Sequence, residues 1–160
     1  MTSILKVTEI QDPTNSNTAL TIDSSGIVST SQLQYITLLR NAQVTYSAGA
    51  TITDWRLADS NGITESSGVC TVSVSGVYLI SISVISSSTQ GIEFYVNGIK
   101  QFRPSYSGTG SGEPWSAVAN CFAWNLSASD TVHFQAQGSM EIYGASDSST
   151  VGSWSMVKIG

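Results

Sequence analysis

The stretch Gly76-Val77-Tyr78-Leu79-Ile80-Ser81-Ile82-Ser83-Val84-Ile85 decides the fold class. Tyr78, Ile80, Ile82 and Val84 occupy alternate positions and are apolar, while the intervening set includes Ser81 and Ser83. A two-residue period of this kind belongs to a strand with one face buried and the other partly wet. Just downstream, Ile92, Phe94 and Val96 alternate with Glu93 and Tyr95, and Asn97-Gly98 follows. Asn-Gly suits a two-residue type I′ hairpin turn, whose central residues both need positive φ.

Working outward, Ser116 to Leu126 reads as a long strand, and Ser127-Ala128-Ser129-Asp130 as a polar turn into Thr131 to Gln137. In that next strand Val132, Phe134 and Ala136 point one way, and His133 and Gln135 point to the wetter side. Gly152 to Gly160 is apolar almost to its last residue and reads as a strand tucked into a sheet. Ile36, Leu38, Val44, Tyr46, Ile52 and Trp55 suggest further short strands, and no helical apolar period is sustained anywhere. About eight strands between residues 33 and 160 predict an all-β fold, a sandwich or a jelly roll.

Composition narrows what such a domain could do. The 160 residues include 29 Ser and 16 Thr, only 11% are charged, and 41% are apolar, a balance that argues against disorder. Net charge is -5 and the basic residues form no cluster, so binding to a nucleic-acid backbone is not expected. No apolar run reaches the ~18 residues of a membrane helix, and the first thirty residues show no basic region followed by an apolar run. The expectation is a soluble chain with no membrane partner and no secretory leader.

Residues 1–30 read differently from the head at 31–160. Two short strand-like pieces, Ile4 to Ile10 and Ala19 to Ile22, flank the turn Asp12-Pro13-Thr14-Asn15. Two such pieces cannot bury a core alone, so they predict an extended arm lying on a sister subunit, a larger assembly, or its own head. Ile4, Leu5, Val7, Ile10, Leu20 and Ile22 are the candidate anchoring residues.

Reactive chemistry is scarce. Cys70, Cys121 and the single histidine, His133, cannot assemble a zinc site of the usual ligands, and no Asp-x-Asp pattern marks a calcium site. No metal and no cofactor are expected, and both thiols are read as buried and free. Ser129, Asp130 and His133 lie near one another in sequence, but no GxSxG elbow is present. Asp54, Asp59, Glu65, Glu93, Glu113 and Glu141 offer carboxylates without a spacing that selects a glycosidase pair. The expectation is a protein that is not an enzyme. The most site-like segment runs from Phe102 to Trp115, where Pro and Gly hold Arg103, Tyr106, Glu113 and Trp115 in a long connection able to bind a partner or a glycan.

Four motifs in order, Gly68-x-x-x-Val72-x-x-x-Gly76-Val77-Tyr78, Phe94-x-Val96-Asn97-Gly98, Leu126 to Val132, and Gly152 to Ile159, resemble the globular head of the complement and tumour-necrosis-factor superfamily. That resemblance covers about residues 35 to 160, departs at Trp154-Ser155-Met156, and implies a TNF-like jelly roll assembled as a homotrimer. Met1 to Pro13 resembles the start of virion proteins of tailed bacteriophages, which implies a virion component assembled in the host cytoplasm. With an arm too short for a shaft and without heptads, the reading is a trimeric capsid decoration (cement) protein or short head fibre that binds the major capsid protein. The alternative is a receptor-binding tip recognising a host surface glycan through the Trp115 loop.

Overall fold

The computed structural model describes residues 9–11, 18–22, 24–25, 28–29, 33–87, 91–105, 116–144 and 152–160. The described residues form fifteen strands: β1 (Glu9–Gln11), β2 (Thr18–Ile22), β3 (Val28–Ser29), β4 (Tyr35–Arg40), β5 (Val44–Tyr46), β6 (Trp55–Asn61), β7 (Ile63–Ser66), β8 (Val69–Val72), β9 (Gly76–Ser86), β10 (Ile92–Val96), β11 (Ile99–Ser105), β12 (Ser116–Leu126), β13 (Thr131–Ala136), β14 (Met140–Ile142) and β15 (Ser153–Lys158). Twelve of them lie beyond residue 33 where about eight were expected. The excess comes from short pieces such as β5, β7 and β14, of three or four residues each, too brief for a two-residue period to stand out.

All strand pairings are antiparallel. The smaller sheet has the order β11-β10-β13-β8-β7. In the larger sheet β9 is central: β15, β4 and β6 follow on one side, β12 pairs along its whole length, and β14 and β5 continue from its far end. Beyond β8, the segment around Ile52 carries on the pairing with β13, the Ile52 amide donating to the Phe134 carbonyl at 2.9 Å. β1, β2 and β3 form a separate small sheet.

The two larger sheets face each other across one apolar core. Tyr78, Ile80, Ile82 and Val84 from β9 and Trp154 and Met156 from β15 meet Phe94 from β10 and Val132 and Phe134 from β13, all at most 1% exposed. The alternation in Tyr78–Val84 thus marks the inward face, as expected. Trp154 and Met156, in the stretch where the sequence departs from the resemblance noted above, are buried in the core. Asn97 and Gly98 take φ of 51° and 73°, both positive as the hairpin turn requires.

Arg40 ends the inward row Ile36, Leu38, Arg40 of β4 and is fully buried. Its guanidinium donates to the Tyr46 hydroxyl at 3.2 Å, to the Ala42 carbonyl at 2.8 Å and to the Thr53 carbonyl. Its charge also lies 5.0 Å from the Trp55 ring centroid. Carbonyl dipoles and aromatic faces thereby close one end of the core around a cation.

Candidate functional site

Three surfaces of the head carry more than a solvated strand would need. The first is the outer face of the larger sheet. In β12, Ala117, Ala119, Cys121, Ala123 and Asn125 are all exposed. Their partners on β9 are Ile85, Ser83, Ser81, Leu79 and Val77, and β15 adds Ser153, Ser155 and Val157. Across three adjacent strands the only charged residue is Lys158, at the end of β15. Val77 and Leu79 are 37% and 38% exposed, and Ser81 and Ser155 share a hydrogen bond of 2.7 Å that satisfies the centre of the face. The result is a surface of small side chains with an aliphatic end.

A second surface lies along one side of the sandwich, where β11 ends the smaller sheet and β12 ends the larger. Phe102, Phe122 and Trp124 are half-buried there against the buried Phe94. Ring centroids of Phe94 and Phe122 are 4.9 Å apart, those of Phe102 and Phe122 4.8 Å, and Phe102 stacks on Trp124 at 5.7 Å. Asn120 bridges the two edges by donating to the Pro104 carbonyl.

The third is a polar cluster on the outer face of the smaller sheet. Glu93 is 8% exposed, takes a 2.5 Å hydrogen bond from Lys100 Nζ, and lies 3.8 Å from Arg103 Nη2. The Lys100 hydrogen bond holds its carboxyl below the ordinary range, against the opposing effect of burial, with Tyr95 and Arg103 adding to the same direction. Tyr95 donates to Glu93 Oε2 at 3.2 Å, and burial together with that carboxylate pushes its phenol upward. His133 stacks on Tyr95 with centroids 5.1 Å apart and planes 17° from parallel. Burial depresses its pKa, and its Nδ1 has no hydrogen-bond partner. The side expected to be wetter therefore holds a buried, neutral histidine at 7% exposure. Neighbouring side chains cover it.

Each sequence-predicted residue has a definite place or lies outside the described residues. Ile10 stands opposite Leu20 in the small sheet, and Ile22 opposite Val28. Ile4, Leu5, Val7, Tyr106, Glu113 and Trp115 lie outside the described residues. Arg103 is on β11 facing Glu93. The chance sequence neighbours Asp130 and His133 do different work. Asp130 accepts from Asn97 Nδ2 and from the Ser127 amide, both at 2.8 Å, and so ties the turn before β13 to the Asn97-Gly98 hairpin.

Other carboxylates serve locally: Asp59 accepts from the Tyr35 hydroxyl, Glu65 from the Gly68 amide and Glu141 from Gln43. Among the described residues, no three His, Cys, Asp or Glu side chains are grouped to hold a metal. Both cysteines are free, but only Cys70 is buried as expected; burial and the Glu65 charge push its thiol far up. Cys121 is exposed, because the register with β9 places it opposite Ser81 on the outer face.

The polar cluster was missed in the sequence, and the outer face of the larger sheet was met only as two separate strands, Tyr78 to Ile85 and Ala117 to Trp124, that come closest to apolar on both sides as a trimer contact requires. The alternation Ala117, Ala119, Cys121, Ala123 was visible as a run of small residues, yet only pairing with β9 shows it to be one side of a sheet. Glu93, Tyr95 and Lys100 span a hairpin whose register was inferable from Asn97-Gly98, and Tyr95 does pair with Lys100. Joining His133 to them requires the long-range pairing of β10 with β13.

No family model matches the sequence, and no curated protein matches it. Solved structures do share the fold. Eiger TNF from S. frugiperda superposes with a TM-score of 0.64 at 15% identity, over 80% of this chain and 93% of that one. Murine APRIL, in its crystal form at pH 8.5, gives 0.59 at 14% identity over 80% and 100%. The globular domain of zebrafish complement 1qA gives 0.57 at 12% identity over 79% and 98%. The head therefore has the jelly-roll fold of the TNF and complement C1q globular heads.

Proposed function

We propose that this protein is a non-enzymatic homotrimeric virion protein, a capsid decoration protein or short head fibre, whose heads associate through the outer face of the larger sheet. The observation that carries self-association is that face itself. Its small, uncharged side chains let another copy approach closely without burying an unpaired charge, and Val77, Leu79 and Val157 offer aliphatic area worth about 25 cal/mol per Å² removed from water. The half-buried aromatics Phe102, Phe122 and Trp124 supply a second apolar surface on the same head. The virion location draws its support from the resemblance of the first thirteen residues to phage virion proteins. Three arms on one trimer would grip a capsid lattice with an avidity that no single arm provides.

Light scattering on the purified chain is expected to give the mass of three copies, and Leu79→Asp to give one copy with unchanged β-sheet circular dichroism. A wild-type monomer at micromolar concentration overturns the trimer. Deleting residues 2–22 is expected to leave folded trimers that no longer co-sediment with capsids; retained binding overturns anchoring by the arm. Electron cryo-microscopy of virions is expected to place copies at local threefold positions of the capsid. Density confined to the tail would move the assignment to receptor binding.

A further inference from the structure

The sequence holds two Asn-Gly pairs, Asn61-Gly62 and Asn97-Gly98, and in both pairs each residue is exposed. Glycine has no side chain to shield its backbone nitrogen, so an asparagine before it is open to attack by that nitrogen on its own side-chain amide. The structure sets the two pairs apart. Asn61 ends β6, where it pairs with Tyr35, and its side-chain nitrogen donates to the Leu33 carbonyl at 2.5 Å. Gly62 is hemmed in: its carbonyl accepts from Ser73 Oγ at 2.7 Å, and a Cβ on it would overlap the Gln34 side chain. The Asn61 side-chain oxygen, the atom that takes up negative charge when the amide carbon is attacked, has no donor among the described residues.

Asn97 and Gly98 form the tip of the β10–β11 hairpin, and nothing lies within 4 Å of where a Gly98 Cβ would stand. Among the described residues no acceptor takes the Gly98 amide, which leaves its nitrogen available. Here the asparagine side-chain oxygen has two donors, the Thr131 amide at 2.9 Å and the Thr131 hydroxyl at 3.3 Å. Donors already aimed at an oxygen that becomes negative in a transition state lower the barrier to reaching it. The remaining contact fixes what the reaction changes. Asn97 Nδ2 donates to Asp130 Oδ1 at 2.8 Å, while Asp130 Oδ2 takes the Ser127 amide that closes the turn before β13.

We propose that Asn97 is a self-modification site, at which the hairpin converts its own side-chain amide to a carboxylate and so releases the turn that leads into β13. The Gly98 nitrogen bonds to Asn97 Cγ and gives its proton to solvent base; the Cγ–Nδ2 bond breaks, and Nδ2 leaves as ammonia with a proton from water. One water molecule then opens the cyclic imide, leaving at position 97 either an aspartate or its isomer with the main chain routed through the side chain. Water is the only co-reactant. The aspartate sets a carboxylate where an N–H donor stood against Asp130, so a tie becomes a like-charge contact at hydrogen-bond distance. The isomer adds a backbone atom to a two-residue turn whose geometry has no room for it. Because ammonia is lost, the change runs one way and acts as a hydrolytic clock on the smaller sheet.

The test ages the purified full chain at mildly alkaline pH in water enriched in heavy oxygen and maps the products by proteolysis and mass spectrometry. Asn97 is expected to take up label at least about tenfold faster than Asn61, the same dipeptide in the same molecule. Equal rates, a faster Asn61, or no conversion at Asn97 overturns the proposal. The consequence is read separately by urea unfolding: Asn97→Asp should lower the midpoint, and adding Asp130→Asn should recover most of the loss by setting a donor against an acceptor again. An unchanged midpoint in Asn97→Asp, or no recovery in the double variant, overturns the release of the turn.

Discussion

Trp154 of β15 and Phe134 of β13 meet edge to face across the core, with centroids 5.1 Å apart and planes at 80°. One belongs to the larger sheet and the other to the smaller, so this pair joins the two layers inside the core. Trp154 also contacts Trp55 at 6.0 Å, yet its indole Nε1 has no hydrogen-bond partner. The side chain contributes area and ring geometry, and its N–H is a cost. Trp154→Ala should therefore destabilise by about 3–5 kcal/mol, and Trp154→Phe by less than half of that. Urea unfolding followed by circular dichroism measures both; equal losses would show that the indole nitrogen is satisfied in solution.

Gly68 sits at φ +80° in the turn between β7 and β8, and a Cβ there would collide with the Ile52 carbonyl oxygen. Gly98 has a similar φ of +73° with open space around it. Gly98→Ala should cost only the left-handed backbone penalty of about 1–2 kcal/mol, whereas Gly68→Ala should cost more, because the Ile52 segment must also move off β13. Comparing their urea midpoints separates the two effects.

Glu93 gives the fold an acid-sensitive contact. Its carboxyl is depressed below the ordinary 4.5 first by the Lys100 hydrogen bond. With a folded pKa below the unfolded one, the contribution is fully present above about pH 4.5 and is lost as pH falls through the folded value. Wild type should lose stability more steeply than Glu93→Gln over that window, and the two curves should converge at its acid end. Parallel slopes would show that Glu93 titrates normally.

Thiol reactivity distinguishes assembled from free heads. Cys70 is buried, and Cys121 lies on the proposed contact face. Titration with a chromogenic disulfide should find no fast thiol in the assembled protein, one in Leu79→Asp, and two in denaturant. A fast thiol in an intact trimer would place Cys121 outside the contact.

The strand class, the inward faces and the main turn follow from local sequence alone. The alternation Tyr78, Ile80, Ile82, Val84 and the Asn97-Gly98 pair are local signals, since side-chain period and turn chemistry act within a few residues. Partnership was decided only in three dimensions. Which strand lies beside β9 depends on pairing between segments tens of residues apart, and that pairing put Cys121 outward where burial was expected and brought His133 onto Tyr95. It also gathered Leu33, Val77, Leu79 and Ile159 at one end. No window of sequence contains these neighbours together, because antiparallel pairing joins residues by register across the sheet rather than by order along the chain.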